Sequence, residues 1–343
     1  MKGSAPAGVL AKAISLANAV GRGADGGVAH LATKGDAISI TCTDQTVGTI
    51  ATSASATIHE PGEIAVSVGR LAALLSSLAA DAIVEIEATT RTINVVCGST
   101  RIRLAAVPLV ELPLAIAIAH EVGRVEISCA DCLELFETLA AADAGRSRLY
   151  LAGAFWHSLN GRLVAVSTDG RRLIRTSFAA SKFSEDRSLI VPTEVALSAR
   201  RLLQKAAAPR VTLRRSRTLI AFDGPPFSFT ARLVDSSFPA YESIIPPPTS
   251  NSVRCDRLDL LAALSRLSAA APSNDTALVA LSWGNGRRLD LHLARRPLDG
   301  ADVVAAEVHG SAEVALSLPQ FAALLKEFSD EHVLLEPQPS SRL

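Results

Sequence analysis

The hydrophobic pattern of this chain repeats three times, in segments that begin at residues 64, 190 and 314. In each segment a short apolar run typical of a buried strand passes into a helix start, and leucines then follow at helical spacing. A second strand-like run comes after each segment, at 82–87, 210–213 and 332–335. A period of about 125 residues is too long for a solenoid unit and has the size of a whole domain. The pattern therefore predicts three similar domains.

The rest of each repeat predicts helices and hairpins in a common order. The helical patterns begin near Leu10, Leu133 and Leu258. Short alternating runs follow them and indicate antiparallel strands, and Asn160-Gly161 is the strongest two-residue hairpin signal. Further turns are predicted at Gly170 and at 284–286. We therefore expect an α+β fold in which each domain packs two helices on antiparallel sheets.

Proline marks the joints between the repeats. It interrupts the strand pattern in segments 101–113 and 229–246, as is common in linkers. The predicted domains are residues 1–122, 123–247 and 248–343.

Composition narrows the class of protein. Hydrophobic residues make up 48% of the 343 positions and aromatic residues only 4%, so the cores are built mainly from Ala, Leu, Val and Ile. No apolar run reaches the ~18 residues of a membrane span. Near the N-terminus, Lys12, Ser15 and Asn18 interrupt the apolar run at helical intervals, which favours an amphipathic surface helix over a signal peptide.

The cysteines indicate a cytoplasmic protein, and the net charge indicates a molecule with no strong overall electrostatic field. The five cysteines are scattered and odd in number, which favours free thiols in a reducing cytoplasm. The formal net charge is zero, so a contact with nucleic acid requires a local cluster of Lys and Arg.

Two motifs could carry chemistry, and each also has an ordinary structural interpretation. Residues 21–26 match the dinucleotide pattern G-x-G-x-x-G. They follow a predicted helix, the reverse of the order that places a pyrophosphate at a helix N-terminus. Cys129 and Cys132 have redox or half-zinc-site spacing but no second ligand pair, and we expect Asp131 to cap a helix there. The sequence thus predicts no catalytic residue, cofactor or metal.

Two short segments carry a more specific signal. The first is Thr168-Asp169-Gly170-Arg171-Arg172-Leu173, which reads as a tight turn between strands. The second contains Phe238, Pro239, Tyr241, Ile244, Ile245 and Pro246. Here the chain resembles the bacterial DNA sliding clamp, the β subunit of DNA polymerase III. That family has a T-D-G-H/R-R-L stretch in its middle domain and an F-P-x-Y-x-x-hydrophobic-hydrophobic-P stretch at its last joint. With the threefold repeat, the resemblance extends over nearly the whole chain.

The resemblance implies a ring. Clamps of this family are head-to-tail dimers of three-domain subunits, with helices lining a central hole. Such a ring is a non-catalytic processivity factor that encircles duplex DNA without reading its bases. The implied partners are duplex DNA, DNA polymerase III, other proteins with a clamp-binding motif, and a clamp loader. Their hydrophobic peptides would bind between the second and third domains, in a pocket formed by Leu151, Thr168, Gly170, Arg171, Arg172, Leu173, Pro239, Ile244, Arg342 and Leu343.

Phosphate contacts would come from the polar face of the lining helices. On the second-domain helix, Ser198, Arg201 and Lys205 are expected to share that face. Acidic residues such as Glu134 and Asp259 lie on helices of the same class, so the lining is only mildly basic and binding should be weak and salt-sensitive. An ordinary solvated helix face is the alternative interpretation. The predicted phosphate contacts are Lys12, Arg22, Arg70, Arg146, Arg148, Arg200, Arg201, Lys205, Arg266 and Lys326.

The chain departs from the family pattern at three places. Its first residues lack the alternation of the strand that opens the first domain, and its third domain lacks the last strands, which removes one wall of the pocket. At the predicted dimer contact of that domain, Ala270 and Ala271 stand where the family has bulky aliphatic residues, opposite an edge strand with Ile102 and Leu104. We therefore expect a weakened homodimer.

Three hypotheses remain open at this point. The first is a divergent processivity clamp that encircles DNA and tethers polymerase or repair partners. The second is a monomeric clamp-like protein that binds partner peptides without encircling DNA. The third, an enzyme that uses Cys129 and Cys132, is disfavoured because no base or cofactor motif accompanies them.

Overall fold

The computed structural model describes residues 1–20, 27–143, 145, 148–179, 189–271, 277–284, 286–293 and 300–338. The chain divides into two compact units, Met1–Phe238 and Pro239–Leu343. The G-x-G-x-x-G pattern at 21–26 lies outside the described residues. Across the described ranges, no helix is both long enough and apolar enough to cross a membrane. The three domain limits stay a prediction.

The first repeat lies within the first unit and follows the predicted order of helix, strands, helix and strands, with one further strand before the first helix. Its two helices pack against each other. Its elements are β1 (Lys2–Pro6), α1 (Ala7–Ala17), β2 (Val28–Thr33), β3 (Ala37–Asp44), β4 (Gly48–Ser55), β5 (Thr57–Glu60), β6 (Glu63–Ser67), α2 (Val68–Ser76), β7 (Ile83–Ala88), β8 (Thr92–Cys97) and β9 (Thr100–Val107).

Strand β1 is formed although the first residues lack the alternating apolar pattern of such a strand. It pairs antiparallel with β7 along its whole length and with β5 on its other side. Its inward positions are the buried residues Gly3 and Ala5. A Cβ at Gly3 would lie 3.0 Å from the carbonyl oxygen of Thr57, so the close approach of the backbones requires a small residue. This strand is defined by its backbone pairing, so the pattern of large apolar residues in the sequence does not predict it.

The second repeat repeats this order with a shorter first helix. Its elements are β10 (Gly123–Ser128), α3 (Cys129–Leu135), β11 (Gly153–Leu159), β12 (Arg162–Thr168), β13 (Leu173–Ala179), β14 (Leu189–Pro192), α4 (Thr193–Ala206), β15 (Arg210–Arg215), β16 (Leu219–Gly224) and β17 (Phe227–Arg232). Short 3-10 turns occupy Glu137–Ala141 and Leu149–Leu151.

Local signals in the second repeat are confirmed in part. Asn160 and Gly161 have φ angles of 50° and 71° and join β11 to β12, as the Asn-Gly step predicts. Helix α3 begins earlier than predicted, directly after Ser128, whose hydroxyl accepts a hydrogen bond from the Asp131 amide at 3.0 Å. Ser128 is therefore the cap, and the predicted capping role of Asp131 was wrong.

The third repeat forms most of the second unit. Its elements are β18 (Ser252–Asp256), α5 (Arg257–Ala270), β19 (Leu278–Trp283), β20 (Arg288–Leu293), β21 (Ala301–His309), β22 (Ala312–Ser317), α6 (Leu318–Lys326) and β23 (His332–Leu335). Strands β7 and β15 each pair with a following strand, whereas β23 pairs only with β18 among the residues described up to 338. A 3-10 turn at Tyr241–Ile244 precedes the repeat.

A single sheet joins the first two repeats. Thirteen strands run in the order β10-β15-β16-β17-β4-β3-β2-β6-β9-β8-β7-β1-β5, and the junction is the antiparallel pair β17–β4. We call this pair the seam. Thr52 Oγ1 donates a hydrogen bond to the Pro226 carbonyl at 2.9 Å across it, and Thr49 Oγ1 accepts one from the Ile116 amide. The second repeat also has a separate sheet, β13-β12-β11-β14, and the second unit has the sheet β22-β19-β20-β21-β18-β23.

The cores are aliphatic, as the composition predicts, with one aromatic exception in the second repeat. Leu10 and Ile14 of α1 and Leu71 of α2 are buried against the sheet. In the second repeat, Phe136 lies 5.7 Å from Trp156 and 6.0 Å from Phe222, measured between ring centroids. These three rings are fully buried and form an aromatic cluster in this core.

Candidate functional site

The segment Thr168–Leu173 forms a tight, internally bonded turn between β12 and β13. Thr168 Oγ1 accepts a hydrogen bond from the Gly170 amide at 3.0 Å and donates one to the Arg172 carbonyl at 2.7 Å. Asp169 Oδ1 accepts hydrogen bonds from the amides of Arg171 and Arg172, at 2.9 and 3.0 Å. Gly170 has φ 85°, a conformation that favours glycine. The turn is therefore fixed by its own polar side chains.

The charge state of Asp169 stabilises this turn. Partial burial alone would raise the pKa of Asp169, but the two amide hydrogen bonds and the Arg172 guanidinium, 3.1 Å away, together hold that pKa below its ordinary value. A lowered folded-state pKa means that the stabilisation is present at neutral pH and is lost as the pH falls through that pKa. The turn is thus preformed at neutral pH.

Arg148 joins this turn to Leu151. The Arg148 guanidinium donates to the Asp169 carbonyl at 3.1 Å and forms an ion pair with Asp143 at 2.9 Å. Leu151 is buried in the adjoining 3-10 turn, and its carbonyl accepts a hydrogen bond from the Asp143 amide. The sequence interpretation assigned Arg148 to DNA. The structure places its side chain against the Thr168–Leu173 turn, and its contact with DNA stays a prediction.

The structure brings together the first-unit part of the predicted pocket and leaves the rest untested. Thr168 is buried, Leu173 is half-buried and Arg171 is exposed, so the turn presents an apolar side chain beside a guanidinium. Pro239 and Ile244 belong to the second unit, where both are exposed. Arg342 and Leu343 lie outside the described residues.

Helices α1 and α4 adjoin within the first unit, and each carries exposed basic side chains. Lys12, Arg201 and Lys205 are exposed, and Lys205 Nζ lies 3.4 Å from the hydroxyl of Ser15. Ser198 is fully buried, so its predicted place on the polar face was wrong. Its position between Val195 and Leu202 turns it toward the core, where its hydroxyl accepts a hydrogen bond from Arg201 at 3.0 Å.

The other predicted phosphate contacts are scattered. Arg70 and Lys326 are exposed and Arg200 is half-buried. Arg266 is exposed, but its Nε pairs with Asp302 Oδ2 at 2.7 Å, and this hydrogen bond raises the pKa of Arg266. Arg22 and Arg146 lie outside the described residues.

The predicted dimer contacts lie at the periphery of each unit. Strand β9 pairs with β8 from Thr100, opposite Cys97, onward. Ile102 in β9 is 39% exposed, and Leu104 is half-buried. In the second unit, Ala270 ends α5 and is exposed, and Ala271 packs partly against the core. Ile102 therefore presents apolar surface, whereas the two alanines present little.

The cysteine pair does not have the character of a reactive site. Burial raises the pKa of the Cys129 thiol, and full burial raises that of Cys132 well above its ordinary value. A protonated thiol is a poor nucleophile and a poor metal ligand. Within the described ranges, His, Cys, Asp and Glu side chains form no group that could hold a metal ion.

Comparisons with known proteins agree with this architecture. A family model for the central domain of the DNA polymerase III beta subunit matches residues 135–240. The beta sliding clamp of Pseudomonas putida is 32% identical over 242 residues, which are 69% of this chain and 64% of that protein. The beta sliding clamp of Synechococcus elongatus is 24% identical over 305 residues, covering 87% of this chain and 81% of the relative. The chain thus matches less than two thirds of the length of the Pseudomonas putida protein.

Solved structures show the same fold. A structure of the DNA polymerase sliding clamp from Pseudomonas aeruginosa superposes with a TM-score of 0.88 at 25% identity, covering 98% of this chain and 93% of that one. The fold is therefore that of the three-domain sliding clamps. The sequence matches and this fold support a divergent member of the bacterial sliding clamp family.

Proposed function

We propose that this protein is a DNA sliding clamp, which encircles duplex DNA as a head-to-tail ring and tethers polymerase or repair proteins for processivity. The main support is the preformed Thr168–Leu173 turn in a chain of this family. The protein would act in the cytoplasm as a non-catalytic factor. Its three proposed domains have the limits 1–122, 123–247 and 248–343. Its proposed partners are duplex DNA, DNA polymerase III and a clamp loader.

A sliding function requires phosphate contacts that ignore base identity. Lysine and arginine side chains on a helix face meet this need, because each can neutralise a phosphate without reaching a base edge. Among the described residues, those that best fit this role are exposed on the adjoining helices α1 and α4: Lys12, Arg201 and Lys205. Few such charges lie here, so we expect weak and strongly salt-dependent binding.

Removing Arg201 and Lys205 together should reduce the salt dependence of DNA binding. Each phosphate contact contributes about one unit to the slope of log K against log salt, so Arg201→Ala with Lys205→Ala should lower the slope by about two units. The measurement is a fluorescence anisotropy titration of a duplex at several salt concentrations. The matched control, Lys34→Ala with Arg91→Ala, removes the same two charges from exposed turns. An equal change in both double variants would contradict the assignment.

The ring hypothesis predicts a concentration-dependent mass. Light scattering across a dilution series should give a species near twice 35.8 kDa that dissociates on dilution. Ile102→Asp should shift this equilibrium toward the monomer, because it places an unpaired charge at the predicted contact. Ile83→Asp, at another exposed strand position, is the control. A monomer at every concentration would contradict the ring and favour the clamp-like peptide-binding protein instead.

A further inference from the structure

The turn Thr168–Leu173 has a counterpart in the first repeat, between β3 and β4. Asp44 Oδ1 accepts hydrogen bonds from the amides of Thr46 and Val47, at 2.8 and 2.9 Å. Asp169 Oδ1 makes the same pair of contacts with the amides of the second and third residues after it. Each turn begins with Thr-Asp, and each leads into a strand that pairs antiparallel with the strand before the turn. Strand β13 is therefore the counterpart of β4.

Strand register aligns β13 with β4 residue by residue. The threonine that opens the turn pairs with Thr49 in β4 and with Leu173 in β13. On this alignment, residues 49–53 (T-I-A-T-S) and 173–177 (L-I-R-T-S) have isoleucine, threonine and serine at the same three positions. The two strands thus correspond in sequence as well as in pairing.

The two strands differ at their outer edges. In β4 that edge is covered by β17, which pairs with Thr49–Thr52 to form the seam. Among the residues that the structure describes, only β12 pairs with β13, so the equivalent edge at Leu173–Thr176 carries no strand. Burial follows the same difference, because Thr52 is buried whereas its counterpart Thr176 is half-buried. An added strand would cover β13 as β17 covers β4.

The seam shows which side chains such a strand needs. In β17, Phe227 and Phe229 are buried and lie opposite inward-facing residues of β4. Ser228 lies between them and faces the other side, because successive side chains of a strand alternate. An occupant of the β13 edge therefore needs apolar residues at alternate positions.

We propose that β13 binds an extended partner peptide as an added antiparallel strand. In the register of the seam, one apolar residue of the peptide lies opposite Thr176 and the next opposite Ile174, with the residue between them opposite Arg175. The residue that follows lies opposite Leu173. Main-chain hydrogen bonds to the strand edge supply affinity in this mode of binding, and alternate side chains supply specificity. This mode rests on the proposed tethering of partner peptides, but not on the ring or on DNA binding.

Two arginines limit what can occupy this edge. The Arg162 guanidinium donates a hydrogen bond to the Ser177 carbonyl at 2.5 Å, so the open stretch ends at Thr176. Arg175 is exposed, and an acidic residue opposite it would gain a cross-strand ion pair. A second copy of the chain paired along the same stretch would bring two Arg175 side chains close together, and like charges across strands are destabilising. These charges favour a peptide over self-association.

Changes to the peptide backbone test the added strand on the full chain. The probe is acetyl-Gln-Leu-Asp-Leu-Phe-amide, methylated in turn on the backbone nitrogen of its aspartate, its second leucine or its phenylalanine. Successive N–H groups of a strand point to opposite sides, so methylation should weaken binding by at least about tenfold at alternate positions and have little effect between them. Binding of the unmethylated peptide should also slow hydrogen exchange of β13 amides, but not of amides in β10, another edge strand of this unit.

A charge exchange tests the register. With wild-type protein, the aspartyl peptide should bind about threefold more tightly than the same peptide with lysine in place of aspartate, and Arg175→Glu should reverse this preference. Arg91→Glu, which makes the same change in an exposed turn elsewhere in the unit, should leave the preference unchanged.

Each outcome decides the proposal. Alternating losses, slowed exchange in β13 and a reversed charge preference support it. Equal losses at all three methylated positions, unaltered exchange in β13 or an unreversed preference overturn it, while peptide binding itself leaves the proposed tethering function in place. If no peptide binds, the added strand and the tethering site both fail. Slowed exchange in β13 that appears with protein concentration alone would overturn the proposal in favour of a second copy of the chain.

Discussion

Leu173→Asp is expected to weaken the binding of a partner peptide with a Gln-Leu-x-Leu-Phe-like core by at least about 100-fold. Leu173 follows the internally bonded turn directly, and an apolar anchor of the peptide would bury it. A carboxylate at that position would lose water without gaining a partner, which costs about 2–3 kcal/mol or more. Fluorescence anisotropy with a labelled peptide measures the affinity.

The matched control is Leu114→Asp, the same substitution at a position that is 92% exposed. It should leave peptide affinity unchanged. Circular dichroism and thermal unfolding of both variants separate a lost contact from a lost fold. An unaltered affinity in a folded Leu173→Asp protein would show that this turn is not the peptide site.

Gly48→Ala is expected to destabilise the first unit by about 3 kcal/mol or more. Gly48 has φ 149°, and a Cβ there would overlap the carbonyl oxygen of Thr230 and lie 3.1 Å from the Cα of Ala231. Because these are backbone atoms of β17, the seam strands must separate to admit a methyl group. Denaturant unfolding monitored by tryptophan fluorescence measures the change, since Trp156 lies in this unit.

Gly35→Ala separates the two causes. Gly35 has φ 57°, but a Cβ there meets no atom within 4 Å, so the variant reports only the conformational cost, about 1 kcal/mol. Equal losses in both variants would mean that the seam tolerates the methyl group and that its close approach has no energetic role.

Repetition made the fold predictable from the sequence. The signals that predicted it are local properties of the sequence. Large apolar residues mark the repeated segments that begin at 64, 190 and 314, and special backbone angles mark the turn at Asn160-Gly161. Strand β1 was missed because pairing with β5 and β7, and not side-chain alternation, defines it. The start of α3 was misplaced because Ser128 is the N-cap. Its hydroxyl accepts a hydrogen bond from the backbone amide of Asp131, the residue that the sequence interpretation took as the cap.

The candidate site was predictable only as a motif. The sequence identifies Thr168–Leu173, but it cannot show that Arg148 reaches the Asp169 carbonyl from a separate segment. Nor does it distinguish the buried Ser198 from the exposed Arg201 three residues later, because both lie near the boundary of the helix's polar face. Such contacts depend on tertiary packing, which periodicity alone does not encode.

The seam also limits how this protein could be divided. A fragment that ends near residue 122 would leave the Thr49–Thr52 edge of β4 unpaired, and one that begins there would leave the Phe227–Thr230 edge of β17 unpaired. Unpaired strand edges template association between molecules. Although the sequence consists of three repeats, we therefore expect residues 1–238 to be the smallest N-terminal fragment that remains monodisperse, and a single excised repeat to aggregate.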